Sequence, residues 1–533
     1  MNYSFQADIE ELMSLIINSF YSSRDIFLRE LLSNSADAIE RQKMKDLQNG
    51  ECSKEYFIKI EYSKENNTLT ILDNGEGMTK NELVENLSKI ASSGTREFIK
   101  KHKEKKDLQI GQFGVGFFSS YLVATNVILW TKRKESETWF EWESDSKNGF
   151  TIKESENLKI KDDFSDHGTI LKLYIKDDAK EYLEENKIEE IVTRYSGYIN
   201  YPIYLGEELK RINEKEALWY KDSKELQFDD YNKLYKEMEG EYLDCLFYRH
   251  FKVEGNLEIK GILYIPVSNS NNILGSGEEN RKGLRLYVKK VLVLDNIERT
   301  MLPEWMNFVS GVIDCPDLPM NVSREILQQS SVINLLKNQI RKQILKMLQD
   351  LAEDHVKYEL FYKNFQKNIK LAIHGGNDKM EDLLKLLRFE IYGEEMSCYT
   401  LENYIDMMKE GQNKIYYICG NEIPILYMYK EKGYKVIYFK DCIDEFMMQR
   451  VLNYKNNEFI NIGKEHEYPW EENDEKKESD LELYIKDVLS KVCIERVELY
   501  ESKNVEDIGY IVSSKFGRSE EHTSELQSHS DLV

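Results

Sequence analysis

Glu30, Asn34, Asp37 and Arg41 recur three or four residues apart in and just after Phe27-Leu-Arg-Glu-Leu-Leu-Ser-Asn-Ser-Ala-Asp-Ala38. A helix turning roughly 100° per residue places all four on one face. Their neighbours Phe27, Leu28, Leu31, Leu32 and Ile39 are apolar, so the same helix has a side to bury. A carboxylate, an amide, a second carboxylate and a cation turned the same way suit Mg²⁺, phosphate and a water. The plain alternative is a solvated stripe, since most polar faces of amphipathic helices meet only water.

Two further segments weigh against that alternative. Thr70-Ile-Leu-Asp-Asn-Gly-Glu-Gly-Met-Thr79 reads as a strand running into Asp73, followed by a turn in which Gly75 and Gly77 permit backbone conformations and close approaches that other residues resist. A carboxylate at such a strand end accepts a hydrogen bond from an exocyclic amine of the kind adenine presents. Ile110-Gly-Gln-Phe-Gly-Val-Gly-Phe117 then sets Gly111, Gly114 and Gly116 ahead of the apolar run Phe117–Val123. That pattern aims backbone N–H groups at an anion near a helix start. Each glycine turn alone is more often only a tight turn; three such elements within residues 1–120 are a stronger pattern.

The elements that must position these residues are legible in outline. Residues 1–205 alternate amphipathic helices (Ile9–Phe20 among them) with short strands at Phe57–Tyr62, Leu69–Leu72 and Gly168–Ile175, which predicts an α+β sandwich with helices on one face of a mixed sheet. A polar stretch, 206–216, reads as a short linker. Residues 217–464 form a middle α/β domain in two sub-layers, with strands at Glu258–Pro266, Leu284–Leu294, Lys414–Cys419 and Lys435–Phe439 and a long helical stretch from Ser323 to Tyr362. Glu465–Asp480 is a charged connection, 481–517 a partial C-terminal domain, and 518–533 a polar, aperiodic tail.

Composition excludes several classes. The 533 residues carry 73 basic and 96 acidic side chains, a net charge of −23 that disfavours binding to nucleic acid or an anionic membrane. The one dense basic run, residues 100–106, contains Glu104 and no aromatic residue, and reads as a solvated loop. Seven cysteines, at 52, 245, 315, 398, 419, 442 and 493, show no CxxC pair and read as reduced thiols. No apolar run is long enough to cross a bilayer, and the N-terminus lacks the blocks of a signal peptide. A cytoplasmic protein is expected.

With these segments in view the chain resembles the heat-shock protein 90 chaperone family, whose ATP site belongs to a fold shared with DNA gyrase, histidine kinases and mismatch-repair ATPases. The resemblance runs from about Tyr3 to Gly517. It is carried by Tyr21–Ala38, by Ile90-Ala-Ser-Ser-Gly-Thr95, by Ile110–Phe117 and by Asp317-Leu-Pro-Met-Asn-Val-Ser-Arg-Glu-Ile-Leu-Gln-Gln329. It implies an N-terminal ATP-binding domain, a middle domain that binds clients, a truncated C-terminal domain, and a slow ATPase coupled to clamp-like closure. The implied cofactors are ATP and Mg²⁺.

Residue by residue, the resemblance implies that Glu30 activates the attacking water, that Asn34 ligates Mg²⁺ and that Asp73 binds the adenine amine. Gly77, Met78 and Thr169 complete the base pocket. Asp37, Asn86, Gly114, Val115, Gly116 and Phe117 line the sugar and phosphate end, and residues 81–116 form a mobile lid. From the middle domain Arg324 reaches the γ-phosphate, assisted by Gln328 and Asn321. Ser92 and Arg41 depart from the family pattern, and losing a lid cation weakens nucleotide binding modestly. Trp305 reads equally well as a client contact or as core. Folding clients and co-chaperones are the implied partners; nucleic acid and membrane are not. Homodimers are the rule for the full-length family, whereas this chain, read as truncated with a foreign tail from Arg518, is expected to be mostly monomeric. The rival functions are a DNA-processing ATPase of the gyrase kind, an ATP-independent holdase or scaffold, and, more distantly, a histidine kinase.

Overall fold

The computed structural model describes residues 23–51, 55–87, 116–145, 149–155, 166–240, 242–268, 283–297, 301–318, 331–376, 379–395, 398–420, 423, 425–464, 468–470, 484 and 488. The chain falls into two compact units, residues 1–267 with 276–347, and 268–275 with 348–533.

The first unit opens with α1 (Ile26–Gln48), the predicted functional helix. Phe27, Leu28, Leu31, Leu32, Ala36 and Ile39 recur on its inner side and are buried, which is what holds it to the sheet. It ends at Asn49–Gly50, where Gly50 takes φ +80°, a left-handed conformation that suits a residue without Cβ. The polar face is not a solvated one: Glu30 and Asp37 are each 2% exposed.

Behind α1 lies a mixed sheet. Its strands are β1 (Ile58–Ser63), β2 (Thr68–Asp73), then, after α2 (Lys80–Leu87), β3 (Ala124–Lys132), β4 (Trp139–Ser144), β5 (Thr151–Ser155) and β6 (Gly168–Ile175). After α3 (Glu185–Ile191) and a π-helical turn at Val192–Ser196 come β7 (Ile203–Leu205) and β8 (Lys210–Arg211). The order is β5-β4-β3-β6-β2-β1-β7-β8, antiparallel except where β1 meets β7. This is the expected α+β layer. The apolar run after the second glycine turn is a 3₁₀ helix, Gly116–Leu122, rather than an α-helix. The polar stretch 206–216 is not free chain, because β8 pairs with β7 and buried Asn213 accepts from Ile203 N at 2.7 Å.

A second sheet in the same unit follows α4 (Phe228–Glu239), with β9 (Cys245–Val253), β10 (Ile259–Pro266), β11 (Leu284–Val288), β12 (Val291–Leu294) and β13 (Ser310–Asp314) in the order β12-β11-β13-β10-β9. The single strand expected over Leu284–Leu294 is instead a hairpin turning at Lys289 and Lys290, both at positive φ (52° and 68°). Buried Asp314 supports that strained turn, accepting from Lys289 N at 2.9 Å and Lys290 N at 2.8 Å. Trp305 is 6% exposed and belongs to the core.

The long helix expected from Ser323 is two helices over its described part, α5 (Ser331–Glu353) and α6 (His355–Gly375). Asp354 breaks them, with non-helical backbone and a side chain that caps α6 through Lys357 N. The second unit adds α7 (Met380–Leu384), β14 (Glu390–Ile391), α8 (Leu401–Asp406), β15 (Lys414–Cys419), α9 (Ile425–Glu431), β16 (Val436–Phe439), α10 (Cys442–Met448), β17 (Asn453–Tyr454) and β18 (Asn457–Asn461). Its sheet runs β14-β16-β15-β18-β17 and packs an aromatic core around Tyr416, Tyr429 and Trp470.

Candidate nucleotide site

Glu30 sits one turn into α1 and is held by its chain neighbour. Arg29, 1% exposed, reaches Glu30 Oε1 with Nη2 at 3.1 Å and Nε at 3.3 Å. Its own carbonyl accepts from Ser33 Oγ at 2.7 Å. The other carboxylate oxygen faces the second glycine turn: a Cβ on Gly116 would stand 2.7 Å from Glu30 Oε2. The absence of a side chain there is what lets backbone approach the carboxylate. Asn34, half-buried, and Asp37, buried, follow on the same helix. Phe117 closes this end by packing edge-on against Trp142, ring centroids 5.3 Å apart.

Asp73 ends β2 and pairs in register with Thr169 on β6, so the two fall side by side on neighbouring strands. Gly75 N donates to Asp73 Oδ1 at 3.0 Å. Burial pushes the Asp73 carboxyl up to about 7, against the pull of that N–H, the Ser35 hydroxyl and the Arg41 charge. The turn after Asp73 is seated by contact. A Cβ on Gly75 would lie 2.6 Å from the Ala38 carbonyl carbon of α1, and one on Gly77, which takes φ +66°, would lie 2.1 Å from Lys132 O. Met78 N donates to Thr131 Oγ1 at 2.9 Å, and that hydroxyl donates to Gly168 O at 3.0 Å and lies 3.3 Å from Thr169 Oγ1. Thr131, on β3, thereby ties Met78 to Thr169.

Glu76 locks the turn from the other side. Arg41, Lys45 and Arg133 reach it at 2.9, 2.8 and 3.0 Å. This corrects the expectation that Arg41 points with Glu30 and Asn34 toward phosphate: its Nε is committed to Glu76, and it positions the Asp73 turn. A cavity of about 460 Å³ opens elsewhere in this unit, lined in part by Thr193, Arg194, Tyr198 and Tyr287. It includes none of the residues around Glu30 or Asp73.

Residues 21–173 match the family model for histidine kinase-, DNA gyrase B- and HSP90-like ATPases, and residues 206–529 match the Hsp90 protein family. The chain belongs to the Hsp90 family. It is 35% identical to the chaperone protein HtpG of Borreliella afzelii over 87% of this chain and 78% of that one. It is 36% identical to HtpG of Francisella tularensis subsp. novicida over 87% and 77%. To the mitochondrial heat shock protein 90-6 of Arabidopsis thaliana it is 33% identical over 89% of this chain, spanning 66% of the plant protein. Hsp90 membership makes this an ATP-hydrolysing chaperone with an α+β ATPase module, as the sequence implied.

Within this Hsp90 chain the structure brings Glu30, Asn34, Asp37 and Gly116 together around α1, and Asp73, Gly77, Met78 and Thr169 around the β2 end. Asn86 is half-buried near the end of α2. Gly114, Val115, Arg324, Gln328, Asn321, Ser92 and most of the lid lie outside the described residues. For Mg²⁺ the donor chemistry is compatible. Asn34 on α1 carries an amide oxygen, the hard donor type such a cation takes in small number alongside phosphates. Thr131, Arg29 and the Glu76 clamp were not singled out from sequence. Thr131 carries no local signal beyond closing a strand, whereas the adjacency of Arg29 to Glu30 is a signal the sequence does carry.

Proposed function

We propose that this chain binds ATP with its adenine amine donating to Asp73 and its phosphates over α1, and hydrolyses it with Glu30 as the residue that orients and deprotonates the attacking water. Glu30 accepts the water proton as the oxygen bonds the γ-phosphorus and the bridging bond to ADP breaks. Asn34 would hold Mg²⁺, whose role is to neutralise phosphate charge. Gly77, Met78 and Thr169 shape the base pocket; Asp37, Asn86, Gly114, Val115, Gly116 and Phe117 line the sugar and phosphates. Arg324, with Gln328, completes the charge stabilisation once the modules close, so turnover reports closure rather than chemistry alone. Closure follows because ATP binds the closed arrangement more tightly. Client proteins are the cargo of this cycle, co-chaperones are proposed as its regulators, and the cytoplasm as its compartment. Among the described residues no helix is long and apolar enough to cross a membrane.

The observation that carries this reading is the contact of the glycine turn with the acid: Gly116 lies against Glu30 Oε2, so backbone that can cradle phosphate is adjacent to the group that can activate water. The experiment is a nucleotide titration with turnover measured separately. Glu30→Ala is expected to bind ATP within about threefold of the parent and to lose hydrolysis by about a hundredfold or more. Asp73→Asn is expected to lose binding itself. Retained turnover in Glu30→Ala would refute the assignment.

A further inference from the structure

We infer that Tyr195 is a positioning residue for Glu30, coupling the orientation of that carboxylate to Asp295 at the end of the β11–β12 hairpin. The inference rests on the role given to Glu30 above and adds to it a link between the two sheets of the first unit.

Two guanidinium groups share the Tyr195 ring. Arg29 Cζ lies 5.8 Å from its centroid and Arg194 Cζ 5.2 Å, both within reach of the ring quadrupole. Each is paired beyond the ring: Arg29 Nη2 to Glu30 Oε1 at 3.1 Å, and Arg194 Nη2 to Asp295 Oδ2 at 2.9 Å. Asp295 is anchored in turn by Arg285 Nε at 3.0 Å. A continuous series, Glu30–Arg29–Tyr195–Arg194–Asp295–Arg285, therefore runs from α1 to the second sheet.

Two independent features mark the same residue. Tyr195 is half-buried against the hydrophobic cores of both sheets. It also lies in the π-helical turn Val192–Ser196, a rare backbone form that recurs at functional sites. The interlock is mutual, since Val291 of the hairpin belongs to the first core and Tyr198 to the second.

The consequence for chemistry is directional. Arg29 binds Glu30 Oε1, so Oε2 is the oxygen turned to Gly116 and to an incoming water. Arg29 is buried, and the surface its guanidinium rests on includes the Tyr195 ring. Take that ring away and the guanidinium swings, and the carboxylate it orients goes with it; the nucleotide-holding residues on β2 are untouched. The predicted signature is loss of kcat without loss of nucleotide affinity.

The test uses the full chain, with ATP turnover and nucleotide binding measured separately. Tyr195→Leu is expected to lower kcat about tenfold and leave the nucleotide Kd within about twofold, while Tyr195→Phe, which keeps the ring, stays within about twofold of the parent in both. Asp295→Asn is expected to lower kcat about threefold alone and to have no further effect in the Tyr195→Leu background, as members of one network do. If Tyr195→Leu fails to fold, Asp295→Asn and Arg194→Met decide, because both side chains are more than two-fifths exposed, at 43% and 47%. The inference is overturned if Tyr195→Leu turns over like the parent, if Tyr195→Phe is as poor as Tyr195→Leu, if the two losses multiply, or if Asp295→Asn and Arg194→Met are both silent. It falls alone when Glu30→Ala is inactive and Tyr195→Leu is not; it falls with the reading of Glu30 when the parent does not hydrolyse ATP or Glu30→Ala does.

Discussion

Asp73 and Gly116 give the sharpest residue-scale expectations. Burial raises the Asp73 carboxyl from 3.8 to about 7, so folding takes up a proton there. The stabilising contribution is whole below about pH 4 and is lost as pH rises through about pH 7. Thermal melts of the nucleotide-free protein are therefore expected to show Asp73→Asn gaining on the parent as pH climbs, even though it no longer binds ATP. The same substitution thus separates a binding role from a structural one. At Gly116 an added methyl would meet Glu30 Oε2 at 2.7 Å. Gly116→Ala is expected to cut turnover at least about tenfold with a much smaller change in nucleotide affinity, measured by steady-state hydrolysis beside calorimetric titration.

At the scale of elements, the turn after β2 is held by charge and by contact rather than by its own sequence. Burial pushes the Glu76 carboxyl up, but Arg41, Lys45 and Arg133 together outweigh it and hold the group below 4.5. Its contribution is present above that value and lost as pH falls through the depressed one. Glu76→Ala strips three cations of a carboxylate that is 12% exposed. It is expected to cost about 3 kcal/mol, readable as a shift in the urea midpoint at neutral pH and shrinking in acid. The β11–β12 turn gives an expectation of opposite sign. Lys289 takes φ 52°, a conformation asparagine adopts more readily, so Lys289→Asn is expected to stabilise by about 0.5 kcal/mol, provided Asp314 keeps both backbone N–H groups.

At the scale of the whole molecule, the two compact units have separate cores, and nucleotide is expected to bind only the first. Calorimetry with ATP at about 100 times its Kd should raise the first unit's melting transition by an amount equivalent to about 2.7 kcal/mol, leaving any transition of the second unit in place. A rise in both would mean that the units unfold as one. The net charge of −23 sets a further expectation, namely no duplex DNA binding at about 150 mM salt.

What the sequence determined by itself was the chemistry that is local along the chain. Helical spacing placed Glu30, Asn34 and Asp37 on one helix face; a β-branched run brought Asp73 to a strand end; the Gly-Glu-Gly turn offered Gly75 and Gly77 for backbone conformations and close approaches that other residues resist. These follow from periodicity and backbone sterics within a few residues, and the family resemblance gave them a ligand. Tertiary structure decided everything that depends on distant residues meeting. Arg41 turned to Glu76 because that half-buried carboxylate needs cations. Lys289–Lys290 became a turn without glycine or asparagine because Asp314, far along the chain, accepts its N–H groups. Thr131 joined Met78 to Thr169, and Tyr195 came between two cores, because strands and helices remote in sequence pack side by side, and no local pattern encodes which side chain will face which.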